Sequence, residues 1–330
     1  MKLLFIGGTG IISSACSKLA VEQGIELYLL NRSQSIRPPA IGAHLLKGNI
    51  RQPDSVTQAI HGLHFDAVVD WVAYTPAQVQ IDLDLFRGRT NQYVFISSAS
   101  AYQKPPSRLP VSESTLLDNP FWQYSRDKIA CENLLVEAFR AEKYPITIVR
   151  PSHTYDPAYI PIHGGWTVID RMQRGEEIIV HGDGTSLWTL THHADFALGF
   201  NGLLGNSRAI GEAVHITSDE WLTWNKIHHI LAEAAGVKAR IVHVPSDVIN
   251  RYDPEWGASM LGDKAHSAVF DNSKIKQLVP GYHASIPFSR GAEEILAWYR
   301  ANPNQQVVDA RFNDLCDRII SAQKKAYPQA

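Results

Sequence analysis

The sequence predicts an α/β fold in which helices cover both faces of a parallel β-sheet. Short, unbroken apolar runs alternate with longer segments in which apolar residues recur at helical spacing. A run without polar residues fits a strand that is buried on both faces. A glycine turn, Gly7-Gly8-Thr9-Gly10, separates the first apolar run from the first helical segment. Together these observations predict a doubly wound sheet that begins close to Met1.

The predicted elements alternate through the first half of the chain. We predict strands at residues 3–6, 25–30, 43–46, 67–72, 93–96 and 146–149. We predict helices at residues 11–22, 55–63 and 122–140. This alternation is the order expected for parallel strands that are joined by helical crossovers.

The glycine turn is the first sign of a ligand site. Glycine allows a positive φ and a close approach of the backbone to a pyrophosphate, and the following helix presents unpaired N–H groups to that charge. Because the turn follows a strand and begins a helix, we favour dinucleotide binding over a purely structural turn. The expected contacts are Gly7, Thr9, Gly10, Ile11 and Ile12. Ser13 stands where a third glycine usually serves helix packing.

The second half of the chain is less regular. We assign residues 1–157 to a dinucleotide-binding Rossmann domain and residues 158–330 to a smaller, mixed region that covers the substrate. Residues 187–204 are expected to return to the sheet domain. Within the second region we predict strands at residues 213–216 and 240–244, and helices at residues 224–235, 289–300 and 307–324.

Composition and charge exclude several classes of protein. The chain has 330 residues, 45% of them hydrophobic, and its net charge of −2 is not that of a nucleic-acid-binding protein. No apolar run approaches the ~18 residues needed to span a bilayer, and no signal peptide precedes the first strand. The three cysteines are widely separated, and the fourteen histidines show no metal-ligand spacing. We therefore expect a cytoplasmic protein without a metal and without a membrane or nucleic-acid partner.

The end of the second predicted strand bears on the choice of cofactor. NAD sites usually place an acidic residue there to hold the ribose 2′-hydroxyl. Here Asn31 would not repel a 2′-phosphate, and Arg32 can pair with one. Since an asparagine can also bond a ribose hydroxyl, and Arg32 can be an exposed loop cation, NADP is favoured only slightly over NAD. Asn49 follows the third predicted strand. Its amide fits a contact with the adenine edge, and a role as a turn residue explains it equally well.

Three residues form a candidate catalytic set. Tyr124 and Lys128 are four apart near the start of the long predicted helix, so their side chains share one helix face. A tyrosine pKa is about 10 when unperturbed, and a neighbouring ammonium favours the phenolate. Ser98 closes the fifth predicted strand, and the carboxyl ends of parallel strands face the ligand crevice. We predict that Ser98 polarises a reacting oxygen and that Tyr124 exchanges a proton with it.

These residues resemble the extended short-chain dehydrogenase/reductase family, which contains nucleotide-sugar epimerases and dehydratases. The resemblance covers most of the chain and includes the glycine turn, Ser98, Tyr124, Lys128, residues 150–157 (RPSHTYDP) and the segment from Gly182 to Asp195. It implies that Tyr124 is the general acid/base. It also implies that Lys128 lowers the tyrosine pKa and binds the nicotinamide ribose. The backbone near Ser152 would contact the nicotinamide. Many members dimerise through the helix with the tyrosine and lysine, so a homodimer remains open.

The chain departs from the family pattern at the substrate side. Trp188 stands where nucleotide-sugar members usually carry an arginine for the diphosphate, and His153 stands where they carry an asparagine. The Asp-Glu pair of sugar 4,6-dehydratases is replaced by Ala99-Ser100. The sequence is also similar to the atypical branch with the chloroplast stem-loop-binding proteins, but those often lack the Tyr–Lys pair. We expect a substrate that is not a nucleotide diphosphate.

An aromatic, hydroxyl-rich pocket is the expected substrate site, because aromatic faces stack on sugar C–H groups. Its candidates are Tyr74, Ser98, Tyr102, Trp122, His153, Tyr155, Trp166 and Trp188, among which His153 is favoured. Core packing is an equally good explanation for each tryptophan. We expect an NAD(P)-dependent sugar epimerase or dehydrogenase/reductase. The alternative is a non-catalytic dinucleotide-binding or RNA-associated protein.

Overall fold

The computed structural model describes residues 1–32, 34–35 and 37–326. Its strands are β1 (Lys2–Ile6), β2 (Glu26–Asn31), β3 (His44–Lys47), β4 (Ala67–Asp70), β5 (Tyr93–Ile96), β6 (Ile146–Pro151), β7 (His153–Tyr155), β8 (Glu177–His181), β9 (Leu187–Trp188), β10 (Leu190–His192), β11 (Ala213–Ile216), β12 (Leu222–Thr223) and β13 (Arg240–Val244). Its α-helices are α1 (Ile11–Glu22), α2 (Pro53–Ala59), α3 (Pro76–Phe86), α4 (Gln123–Glu142), α5 (Trp166–Gln173), α6 (His193–Asn201), α7 (Trp224–Ala234), α8 (Ser246–Tyr252), α9 (Pro254–Ser259), α10 (Ser273–Leu278), α11 (Phe288–Ala301) and α12 (Ala310–Ala326).

The central sheet has seven parallel strands in the order β11-β6-β5-β4-β1-β2-β3. Alternate residues of β1 enter different cores: Leu3 and Phe5 pack with helices α1 and α6, whereas Leu4 and Ile6 pack on the side of α3 and α4. A sheet buried on both faces explains why its strands are unbroken apolar runs. The predicted doubly wound α/β fold is confirmed.

The predicted strands of the first half are all present, with small shifts at their ends. The largest differences concern residues 67–72 and 146–149, which form Ala67–Asp70 and Ile146–Pro151. Strand β4 ends early because the Asp70 carboxylate accepts hydrogen bonds from the following backbone N–H groups, at 2.5 Å and 2.9 Å, and turns the chain. Helix α3 was missed, because its inward face includes the buried polar residue Asp82 and so lacks a clear apolar stripe.

The second half of the chain does not stay apart from the sheet. Phe200 of α6 belongs to the same core as Phe5, and Asn201 Nδ2 donates to the Cys16 carbonyl at 3.3 Å. Strand β11, which we expected in the substrate-covering region, instead extends the central sheet beside β6. The chain thus returns to the sheet over a longer stretch than residues 187–204, because β11 supplies the edge partner of β6.

A separate hydrophobic core holds the C-terminal elements together. It is built from α5, α7, α11 and α12 around the parallel pair β8 and β13. Two short pairs, β7 with β10 and β9 with β12, connect these elements to the region beyond the carboxyl ends of β5 and β6. This connection brings residues from both halves of the chain to one place.

Candidate active site

Three adjoining cavities follow the carboxyl ends of the sheet strands. The outer cavity, about 450 Å³, is lined by residues that include Thr9, Asn31, Arg32, Gln34, Asn49, Arg51 and Tyr74. The middle cavity, about 550 Å³, is lined by the glycine turn and by Ser98, Tyr124, Lys128 and Ser152, among others. The inner cavity, about 270 Å³, is lined by residues that include Ser98, Tyr124, Ser152, His153, Trp188 and Lys264. Because neighbouring cavities share residues, they form one continuous groove.

The glycine turn has a conformation that requires glycine. Gly7 and Gly8 have φ angles of +104° and +90°, and a Cβ on Gly8 would lie 2.6 Å from Leu29 Cδ2. Helix α1 follows directly, and the Ser13 hydroxyl accepts a hydrogen bond from the Gly10 N–H at 2.7 Å. The serine in the third glycine position thereby closes the turn.

The middle cavity suits the pyrophosphate and nicotinamide part of a dinucleotide. Gly10, Ile11 and Ile12 line it at the start of α1, where the first backbone N–H groups have no carbonyl partner within the helix. Such a helix start attracts a pyrophosphate. Ser152 lines both the middle and inner cavities, and its hydroxyl lies 2.6 Å from that of Thr191.

The outer cavity suits the adenosine end of a dinucleotide. Asn31, Arg32 and Asn49, the cofactor contacts predicted from the sequence, all line it. The Asn49 side chain also accepts the Arg51 N–H at 3.1 Å, so it acts as a turn residue as well. Arg51 was not predicted, yet it lines the cavity, and its Nη1 is buried without a hydrogen-bond partner in the described part of the chain. Among the described lining residues there are two arginines and no carboxylate.

Ser98 and Tyr124 meet where the middle and inner cavities join. Ser98 follows β5, and Tyr124 is the second residue of α4. Burial raises the pKa of Tyr124 to about 12, and a hydrogen bond with Ser98 opposes that rise. The Ser98 hydroxyl also lies 2.9 Å from the Ser100 hydroxyl, and Ser125 donates to Ser100 at 2.8 Å. Ser100 and Ser125 extend the predicted pair into a chain of hydroxyl groups that sequence reasoning missed.

Lys128 lies beside Tyr124 but is held mainly by the backbone. Its Nζ donates to the carbonyls of Ala73 and Ile96, at 2.7 Å in both cases, and lies 5.8 Å from the Tyr124 ring centre. Burial lowers the pKa of Lys128 to about 8. The expected lowering of the Tyr124 pKa is not found, because burial of the phenol outweighs the hydrogen bond with Ser98.

His153 and Trp188 are joined by a hydrogen bond. Trp188 Nε1 donates to His153 Nδ1 at 3.1 Å. An indole nitrogen can only donate, so Nδ1 carries no proton and the neutral imidazole carries its proton on Nε2. Burial lowers the pKa of His153 to about 3, with a further contribution from the Lys264 ammonium. His153 thus lines the inner cavity as a neutral hydrogen-bond donor.

The other predicted aromatic contacts divide into two groups. Trp122 lines the inner cavity, whereas Tyr74 lines the outer and middle cavities and so lies on the dinucleotide side. The prediction for Tyr102 needs correction: it is 1% exposed, and its hydroxyl lies 3.0 Å from His215 Nδ1, because a short 3₁₀ turn directs the chain inward after Ser98. Tyr155 and Trp166 also pack in the core, where Trp166 stacks on Tyr299.

A doubly wound sheet, a glycine turn and a groove that passes a serine, a tyrosine and a lysine together define the class of short-chain dehydrogenases/reductases. Residues 3–216 match the family model of the NAD dependent epimerase/dehydratase family. The chain therefore belongs to this family, and the predicted resemblance is confirmed.

Individual relatives are distant in sequence. The chain is 25% identical to 2′-dehydrokanamycin reductase of Streptomyces kanamyceticus over 310 residues, which cover 90% of this chain and 84% of the relative. It is 26% identical to the chloroplast stem-loop binding protein of 41 kDa b of Arabidopsis thaliana over 257 residues, 73% of this chain and 65% of the relative. Over 92% of this chain, the fold matches UDP-glucose 4-epimerase of Bifidobacterium longum, which is covered completely, with a TM-score of 0.73 and 18% identity.

None of the helices in the described ranges is long and apolar enough to cross a membrane. Within the same ranges, no group of three or more histidine, cysteine, aspartate or glutamate side chains is arranged to hold a metal ion.

Proposed function

We propose that this protein is an NAD(P)-dependent epimerase or dehydrogenase/reductase that acts on a carbinol carbon of a carbohydrate-like substrate. The observation that carries the proposal is the place of Ser98 and Tyr124, which line both the middle cavity and the inner cavity. A substrate in the inner cavity would thus contact the proton-transfer groups next to the middle cavity, where the dinucleotide would bind. The bound cofactor would supply or accept the hydride.

Each of the three residues has a proposed task. Ser98 donates a hydrogen bond to the reacting oxygen and holds the Tyr124 hydroxyl. Tyr124 gives a proton to that oxygen when a carbonyl is reduced and takes it back when an alcohol is oxidised. A pKa of about 12 suits the acid role, since the phenol is then protonated at neutral pH. Lys128 supplies a positive charge that favours the phenolate during oxidation and binds the nicotinamide ribose.

We propose that the protein slightly prefers NADP over NAD as its cofactor. Arg32 and Arg51 line the outer cavity, and the described lining residues include no acidic group that would repel a 2′-phosphate. The matching family is described as NAD dependent, so NAD remains the competing cofactor. A homodimer through α4 remains a proposal from the family resemblance.

We propose further that the substrate is not a nucleotide-diphosphate sugar. The inner cavity of about 270 Å³ is slightly smaller than the ~300–1,000 Å³ that is typical for drug-sized ligands, and it suits a monosaccharide better. Trp188, in the place of the diphosphate arginine, is bonded to His153 and offers no charge.

A substrate screen tests the proposal. Purified protein would be incubated with sugars, sugar acids and sugar phosphates in the presence of NAD⁺ or NADP⁺, and both nicotinamide reduction and epimer formation would be followed. We expect turnover of at least one compound, and its loss in the Tyr124→Phe variant. Epimer formation without net reduction of the cofactor would identify an epimerase, whereas net reduction would identify a dehydrogenase. Equal activity of both proteins would refute the assigned role of Tyr124.

The similarity to a stem-loop binding protein supports a second candidate, a non-catalytic or RNA-associated role. A net charge of −2 and the complete Ser98–Tyr124–Lys128 set argue against it. If Tyr124→Phe left the role of the protein in cells intact, the second candidate would be preferred.

A further inference from the structure

Two lysines and one aspartate form a charged cluster at the inner cavity. Lys264 and Asp263 line the cavity, and Lys104 contacts Asp263. Lys104 Nζ is 3.0 Å from Asp263 Oδ1, which makes a direct ion pair. Lys264 Nζ is 3.8 Å from Asp263 Oδ2, beyond hydrogen-bond length. With both lysines protonated, the cluster carries one positive charge more than negative charge, and Lys264 is the less completely paired cation. Burial lowers the pKa of Lys264, whereas Asp263 opposes that shift.

The cluster is shielded from water. The side chains of Lys104, Asp263 and Lys264 are only 5%, 14% and 15% exposed. Lys264 Nζ lies 5.5 Å from the Trp122 ring centre and 5.9 Å from that of Trp188, so aromatic faces partly replace its hydration. A buried ammonium is costly unless a counter-charge compensates it. A negative group placed in the cavity would supply that counter-charge.

Three side chains hold the backbone of Lys264 in place. Its carbonyl accepts hydrogen bonds from His181 Nε2 at 2.9 Å, Ser186 Oγ at 3.2 Å and Trp224 Nε1 at 3.1 Å. Lys264 also ends a π-helical turn, Met260–Lys264, and such turns are rare and frequently mark functional sites. A residue whose backbone is anchored in this way is suited to position a ligand group at a fixed place.

We propose that the substrate carries a compact anion, a carboxylate or a phosphate, which binds Lys264 while the reacting oxygen lies at Ser98 and Tyr124. This inference rests on the proposed function and narrows its substrate class. An ammonium-bearing sugar would face an uncompensated cation of the same sign, and a neutral sugar would leave Lys264 without its counter-charge. Neutral His153 would donate its Nε2–H to a sugar hydroxyl beside the anion.

Binding measurements test this inference without depending on turnover. Glucuronate, glucose 6-phosphate and neutral glucose would each be titrated into the protein, with the fluorescence of the tryptophans as readout. We expect at least one of the two anions to bind about tenfold or more tightly than glucose, as for a hydrogen bond to a charged group. Inorganic phosphate should compete with that anion. Whether glucuronate or glucose 6-phosphate binds more tightly would distinguish a carboxylate from a phosphate.

Matched variants assign the effect to one residue. Lys264→Met should abolish the preference for the anion, because it retains the side-chain bulk without the charge, and Lys264→Arg should retain most of it. Lys238→Met, which removes an exposed lysine, should leave the preference unchanged. The inference is overturned if neither anion binds more tightly than glucose, or if Lys264→Met keeps the preference.

A parallel titration with NADH and NADPH separates this inference from the proposed function. Intact NADH binding without any anion preference would contradict only the anion subsite. If the wild-type protein binds neither NADH nor NADPH, the proposed function itself is contradicted. Equal NADH binding by the wild type and by Lys264→Met would also show that the variant is folded.

Discussion

Trp188 Nε1 donates a hydrogen bond to His153 Nδ1 over 3.1 Å, and this contact determines which tautomer of the histidine faces the inner cavity. By the family resemblance, the two residues stand where nucleotide-sugar members usually carry an arginine and an asparagine. Under the function proposed above, this neutral, aromatic pair takes the place of a charged diphosphate site. The proton on His153 Nε2 remains available for the substrate.

Removing the indole donor should weaken catalysis through His153. In Trp188→Phe, the His153 Nδ1 atom loses its partner, and the imidazole can adopt either tautomer. We expect a loss of about tenfold in kcat/KM, the usual order for one buried hydrogen bond. Trp122→Phe is the matched control, since it removes an indole from the same cavity without removing the bond to His153. Equal losses in both variants would show that the bond itself is unimportant.

The tyrosine hydroxyl is expected to be the main proton-transfer group. Tyr124→Phe keeps the ring in place but removes the group that exchanges a proton with the substrate oxygen. We expect turnover to fall by roughly 10²–10⁴-fold, with NADH affinity nearly unchanged. Steady-state kinetics with the best substrate checks this, and Tyr252→Phe, at an exposed position, serves as control. A loss of less than tenfold would contradict the role of Tyr124.

Lys128 should impose an alkaline limit on carbonyl reduction. Burial lowers its pKa from 10.5 to about 8, so the ammonium loses its proton as the pH rises through about 8. Over this range Tyr124 stays protonated, because its own pKa is about 12. Without the ammonium, the phenolate that forms when Tyr124 gives its proton to the substrate is less stable. We therefore expect kcat/KM for reduction to fall above about pH 8.

The variant Lys128→Arg provides the check on this pH profile. An arginine remains charged throughout the range, so the alkaline decline should disappear if the variant still binds NADH. A decline that is the same in both proteins would assign it to another group. A flat profile in the wild type would contradict the low pKa of Lys128.

The cofactor preference should depend on Arg32. Arg32→Ala is expected to weaken NADPH binding about tenfold and NADH binding much less, because only NADPH presents a 2′-phosphate to the guanidinium. Fluorescence titration with both reduced cofactors measures the two effects. If both affinities change equally, the preference for NADP is not supported by this residue.

Local sequence signals were sufficient for strands β1 to β6 of the sheet and for the glycine turn that lines the groove. The glycine turn depends on neighbouring residues, and the Tyr124–Lys128 pair depends on one helical turn, so both could be recognised without a structure. Strand β11 could not be placed in the same way, since its apolar pattern does not reveal which strand it pairs with. Its partnership with β6 depends on how the whole C-terminal half folds back.

The substrate side was harder to predict for the same reason. Ser98 and Tyr102 are close in sequence, yet the 3₁₀ turn between them directs one toward the groove and the other into the core. Lys264 comes from a distant π-helical turn, and no spacing in the sequence links it to Ser98. Contacts of this kind arise from tertiary packing and are absent from local patterns.

The central claim, that the groove holds a nicotinamide dinucleotide beside Tyr124 and Lys128, is tested most directly by cofactor binding. The nucleotide released from denatured protein would be identified, and the stripped protein would be titrated with NAD⁺, NADH, NADP⁺ and NADPH. We predict saturable binding of at least one form, weakened in Lys128→Met because the ribose contact is lost. If none of the four forms binds to the folded protein, the claim is contradicted.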